Sequence, residues 1–205
     1  MLLIKSLLLN LIFILAAQAD PSPVEQLKSF ISASATFTAD FRQVSIDAAG
    51  APGKTSSGQF YLSRPGKFRW NYLRPYVQQI VSNNGKVWFY DADLAQVTVK
   101  NLDDSLGATP ALLLTGQVEL EQKFTLEAQD REGDLSWLKL LPKDQESGFK
   151  YILIGLEKGQ LSGMELSDNF GQLTRIYFSN IKTNGKLNND IFNFSIPQGV
   201  DVFEN

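Results

Sequence analysis

The sequence predicts a mainly β protein: one antiparallel sheet of about eleven strands, curled toward a barrel, with short helices as lids. Three observations predict it. From Ala35 onward, apolar and polar residues alternate over most of the chain. Short polar turns such as Asn83-Asn84-Gly85 separate the alternating runs. Helical periodicity is confined to two short stretches.

Residues 1–19 read as a cleaved secretory signal peptide. Lys5 supplies the basic start, Leu7–Ala16 the apolar run, and Ala17-Gln18-Ala19 the small residues of a cleavage site. Residues 20–205 are then one domain, and about 186 residues suffice for a sizeable core. Without Lys5 the 19 basic residues become 18 against 22 acidic, a net charge of −4. Nucleic acid and anionic lipid surfaces are poor partners for that balance. The absence of cysteine suits a bacterial periplasm better than a disulfide-rich secreted domain.

Ser22-Pro23-Val24-Glu25 is a capping box with proline at the first helical position. Val24, Leu27, Phe30 and Ile31 recur at helical spacing, which predicts an amphipathic helix over Pro23–Ser32. The period then changes to two, with Phe37, Ala39 and Phe41 on one face of a first strand running to about Ile46. A loop over Asp47–Lys54 leads to the stretch Ser56–Tyr72. Here Phe60 and Leu62 share one face of a strand, Phe68, Trp70 and Tyr72 one face of the next, and Arg64-Pro65-Gly66 makes the corner. Further strands follow over Tyr76–Ser82, Lys86–Asp91 and Ala95–Lys100.

Thr109 is placed to cap a second short helix that starts at Pro110 and ends at Gly116. Its centre, Ala111-Leu112-Leu113-Leu114-Thr115, is apolar on nearly every side, so it must be a plug in the core or face an apolar ligand. Strands resume over Gln122–Ala128, Leu135–Leu141, Phe149–Leu156, Leu161–Ser167 and Gln172–Ser179. A last short strand is expected over Ile191–Ile196, stopped by Pro197.

The chemistry is mostly negative. There is no histidine, which removes triads, most zinc sites and pH-switch designs. Gly-rich phosphate loops and a G-x-S-x-G elbow are absent. The acidic pairs Asp91/Asp93, Asp103/Asp104 and Asp130/Glu132 fall in bends or loops, where solvated acids are normal. No enzyme activity, cofactor or metal is expected. Trp70, Trp88 and Trp137 could stack on sugar rings, but alternating strand positions more often make a core.

Several blocks, in order, carry a resemblance. Phe37-x-Ala39-x-Phe41-x-Gln43, Ser57-Gly58-x-Phe60-Tyr61-Leu62-x-Arg64-Pro65-Gly66-Lys67-Phe68-Arg69-Trp70, Asn84-Gly85-Lys86-Val87-Trp88-Phe89-Tyr90-Asp91, Thr109-Pro110-Ala111-Leu112-Leu113-Leu114 and Phe192–Val202 together resemble the LolA family of periplasmic outer-membrane lipoprotein carriers. The resemblance implies an incomplete, unclosed β-barrel whose helices form a lid over a hydrophobic cavity for lipoprotein acyl chains. Cargo would come from an ATP-driven inner-membrane LolCDE complex and pass to the outer-membrane receptor LolB. By motif position Arg64 is the family's lid latch, and Phe68 an aromatic important for cargo exchange. Candidate cavity residues are Phe37, Phe60, Leu62, Phe68, Trp70, Trp88 and Tyr90; candidate lid residues are Leu27, Phe30, Leu112, Leu113 and Leu114. Ala111 is smaller than the apolar residue the family can carry there. A monomeric chaperone in the periplasm is the expectation. Carriage of another envelope lipid or glycolipid, or a non-catalytic envelope-binding β-module, are the alternatives.

Overall fold

A computed structural model describes residues 20–105, 109–130, 133–144 and 147–204; the leader expected over 1–19 and the acid Glu132 lie outside them. Helix α1 (Pro23–Ala33) opens the fold. Strands β1 (Thr36–Ile46), β2 (Pro52–Ser63), β3 (Lys67–Arg74), β4 (Gln78–Asn83), β5 (Lys86–Asp91) and β6 (Gln96–Asn101) follow as an antiparallel meander. After the 3-10 helix Pro110–Leu114 and helix α2 (Leu120–Lys123) come β7 (Phe124–Ala128), β8 (Leu135–Pro142), β9 (Phe149–Glu157), β10 (Gln160–Asp168) and β11 (Leu173–Thr183). A further 3-10 helix, Asn189–Phe192, precedes β12 (Asp201–Glu204).

All twelve strands form one sheet in the order β12-β6-β5-β4-β3-β2-β1-β11-β10-β9-β8-β7. Pairing of β1 with β11 joins the two meanders, and β7 and β12 remain as the two free edges, so the barrel is unclosed. The capping box at Ser22 forms in both directions, its hydroxyl accepting from the Glu25 N–H. Asn84 and Gly85 take φ of 49° and 76°, the paired positive values that a two-residue hairpin turn demands.

Three expectations change. The leucine segment is a 3-10 helix, and Thr109 makes no side-chain cap bond. Four of its five residues, Ala111–Leu114, are buried, and a run this short is of the length at which 3-10 turns are common. Residues Ile191–Ile196 do not join the sheet: Asn188 accepts from the Asp190 N–H and starts the 3-10 turn instead. The chain there lays side chains across the sheet rather than pairing its backbone with it. In its place the last strand of the sheet is β12, which runs parallel to β6 rather than antiparallel.

Candidate functional site

Register decides which side chains meet. Leu62 stands opposite Phe37 and Phe68, and Phe60 opposite Ala39 and Trp70, so these rows share the concave face. Phe37, Phe60, Leu62, Phe68 and Trp70 are all buried there. Aromatic contacts knit them together: Phe60 and Trp70 lie 4.6 Å apart between centroids, Phe37 and Phe60 6.0 Å, and Phe37 meets Phe178 of β11 edge-on at 5.9 Å. Gly58 lets Phe41 reach this layer, because a Cβ there would fall 1.8 Å from the Asn71 carbonyl oxygen and 3.0 Å from the Phe41 ring. The other half of the sheet contributes Leu138, Leu140, Ile152, Ile154 and Met164 to the same face.

Two elements fill the concavity. Helix α1 packs against β7–β10 and sends Leu27 and Phe30 inward. Its Gln26 side chain donates to the Ser136 hydroxyl at 3.2 Å, which satisfies a polar group inside the sheet. The 3-10 helix places Ala111, Leu112, Leu113 and Leu114 in the core, all buried. The side chains of α1 and of this segment therefore fill the interior.

Arg64 bonds both inserted elements from the β2–β3 corner. Its Nε donates to the Leu114 carbonyl at 2.8 Å, and its Nη1 donates to the Ser34 carbonyl at the end of α1. The guanidinium also sits 4.9 Å from the Phe30 ring centroid, a cation–π contact. Burial pulls its pKa down to about 10, and Nη2 has no partner among the described residues. Gly116, at φ +76°, passes next to this latch; a Cβ would meet Ile31 at 3.3 Å and Arg64 Cδ at 3.6 Å. Arg64 thus joins three parts of the chain: the β2–β3 corner, the end of α1 and the leucine segment.

Trp88 and Tyr90 need correction. Trp88 stands opposite Val81 and Val99, and Tyr90 opposite Gln79 and Val97, on the convex face. Val87 and Phe89 are the members of β5 on the concave side, since neighbours along a strand face opposite ways. Trp88 and Tyr90 instead pack on Phe194, at 6.2 Å and 5.8 Å between centroids. Phe192, fully buried, and the Arg69 Nη1–Ile191 carbonyl bond at 3.0 Å complete a second apolar layer under the C-terminal segment. The sequence reading missed this layer; the signal available was Phe192 and Phe194 at period two beside an otherwise polar tail.

The space left on the concave face is small. A cavity of about 180 Å³ lies at the end of the sheet away from Arg64, among Trp70, Tyr72, Ile80, Pro110, Phe149 and Leu166. That is below the roughly 300–1,000 Å³ of small-molecule sites. A second cavity, about 670 Å³, lies on the convex face beside Trp137, whose ring occupies the room a side chain at Gly155 would take. Among the described residues no group of His, Cys, Asp and Glu is placed to hold a metal ion. No described helix is long and apolar enough to cross a membrane.

The fold defines an unclosed β-sheet whose concave apolar face is covered by α1 and the leucine segment. The family model described as "Outer membrane lipoprotein carrier protein LolA" matches residues 32–195, and the chain belongs to that family. It is 58% identical over 189 residues to the outer-membrane lipoprotein carrier protein of Methylococcus capsulatus, covering 92% of this chain and 91% of the relative. Identity is 46% to the carrier protein of the same description in Nitrosomonas europaea, with 88% of each chain covered. Among solved structures, an uncharacterized conserved protein of Thermus thermophilus shares the fold at TM-score 0.54 and 16% identity, covering 89% of this chain and 99% of its own. A DUF1329 family protein of Desulfovibrio piger does so at TM-score 0.51 and 12% identity, covering 85% and 98%.

Proposed function

We propose that this protein carries outer-membrane lipoproteins through the periplasm, sheltering their acyl chains in the concave interior that the lid now fills. The observation that carries the reading is the burial of Leu112, Leu113 and Leu114 against Phe37, Phe60, Leu62 and Phe68 in a sheet that never closes. Family membership and relatives named outer-membrane lipoprotein carrier proteins support it.

The energetics suit a carrier. Each acyl methylene removed from water contributes about 0.8 kcal/mol, so one long chain would contribute roughly 10 kcal/mol. With no opposing term, release would be slow. The lid supplies that term: cargo must expel Leu27, Phe30 and the three leucines, and their lost packing subtracts from the gross affinity. The size of the opposing term is set at Arg64, where two carbonyl bonds hold the lid shut. A guanidinium suits such a latch, since its donors exchange carbonyls for water at the rim.

The partners follow from that role. An inner-membrane release complex of the LolCDE kind would load the carrier, and a LolB-type receptor would empty it. The exposed Leu73, Tyr76, Val77 and Leu94 at the end of the sheet away from Arg64 are an apolar rim for such exchange. Arg64→Leu tests the latch. The variant is expected to take up a radiolabelled lipoprotein at least as well as the parent and to hand it on poorly. Handover at the parental rate would remove Arg64 from the mechanism.

A further inference from the structure

Trp70 is 3% exposed, and its indole Nε1 is out of solvent with no acceptor among the described residues. A buried donor left unpaired costs free energy that a phenylalanine in the same layer would not. Phe60 and Phe68, its neighbours on the concave face, show that a phenyl ring is tolerated there. Trp70 also lines the residual cavity of about 180 Å³ at the end away from Arg64. That cavity is not uniformly apolar. Gln43, Tyr72, Thr109 and Thr174 share its wall, and the Tyr72 hydroxyl donates to Gln43 Oε1 at 3.0 Å. The residues of this one wall thus carry an unpaired donor and a hydroxyl–amide pair at one end of an apolar trough.

We infer that Trp70 Nε1 is the hydrogen-bond donor for the carbonyl oxygen at the head of a bound acyl chain, making this cavity the head subsite of the carrier. The inference rests on the acyl-carrier reading above. Every acyl chain joined to its cargo as an ester or amide ends in a carbonyl, an acceptor that must leave water when the methylenes do. Pairing it with a donor that the empty protein leaves unpaired removes two desolvation costs with one bond. The chain would then run from Trp70 along Phe60 and Leu62 toward Phe68, its methyl end toward the end of the sheet that carries Arg64. Head recognition lies near the exposed rim of Leu73, Tyr76 and Val77, where the lipidated cargo has to emerge.

Two ligands that differ only by the carbonyl test this: methyl palmitate and methyl hexadecyl ether, each displacing an environment-sensitive dye from the full mature chain. The parent is expected to bind the ester about tenfold more tightly than the ether, and Trp70→Phe to bring the two to near equality. Since Trp70→Phe could also disturb packing, the parent's Trp70 indole N–H resonance gives a second measurement. It should move downfield with the ester and not with the ether. Equal binding of ester and ether by the parent, or an unchanged preference in Trp70→Phe, would overturn the head subsite while leaving the carrier reading intact. Displacement by neither ligand would overturn both.

Discussion

At the scale of residues, Arg64 and Trp70 each carry a polar group into an apolar interior, with opposite consequences. Arg64 is satisfied at two of its nitrogens by carbonyls from separate lid elements, so its bonds report whether the lid is shut. Burial pulls its pKa down to about 10. A cation whose folded pKa lies below its unfolded value opposes folding while charged, and that penalty is relieved only as pH rises past the folded value. Below about pH 9 Arg64 stays protonated in both states, and the chain has no histidine to titrate near neutral pH. Dye access to the interior is therefore expected to vary less than about twofold between about pH 6 and about pH 9. A steep change over that range would show a latch controlled by some other group. The arginine at a strand corner was visible in the sequence, but a corner arginine is ordinarily solvated. What it binds depends on backbone carbonyls 30 and 50 residues away, at Ser34 and Leu114.

At the scale of elements, the 3-10 helix Pro110–Leu114 is the part of the core that the proposed carrier cycle would move. Its five residues make no long ladder of their own, so packing rather than helix propensity holds it. Truncating a buried leucine costs about 2–5 kcal/mol when its surroundings stay in place. If the segment withdraws to admit cargo, as proposed, the loss falls on the closed state alone. Leu113→Ala is thus expected to raise dye binding by more than about tenfold with only a modest drop in the unfolding midpoint. A large drop in the midpoint with no gain in dye binding would mark the segment as fixed core. Leu112–Leu114 was legible as a segment buried on all sides because three adjacent leucines admit no polar face. The C-terminal segment was less so. Ile191–Ile196 alternates like a strand, yet Asn188 and the fit of Phe192 and Phe194 on the convex face divert it.

At the scale of the molecule, one sheet with two free edges has a gradient of constraint. Strands β1, β2 and β11 pair on both sides in the middle of the order, and β7 and β12 pair on one side only. Hydrogen exchange should accordingly be slowest in β1, β2 and β11 and fastest in β12 and β7. Protection of β12 as long-lived as that of β2 would mean that the edge is covered by something other than its own pairing with β6. The same openness leaves a side of the sheet for α1 and the leucine segment to occupy.

Periodicity by itself determined the β architecture, the helix at Pro23, the apolar character of the lid and the shared face of Phe60, Leu62, Phe68 and Trp70. These are local properties, set by side-chain alternation, capping and turn chemistry within a few residues. The resemblance carried the proposed function and singled out Arg64. Only the tertiary structure decided which face is concave, and so moved Trp88 and Tyr90 to the convex side under Phe194. It alone showed which carbonyls Arg64 holds and that the Trp70 N–H is left without an acceptor. The physical reason is that alternation fixes which residues share a face, while the curl of the sheet and the segments laid across it fix what that face meets.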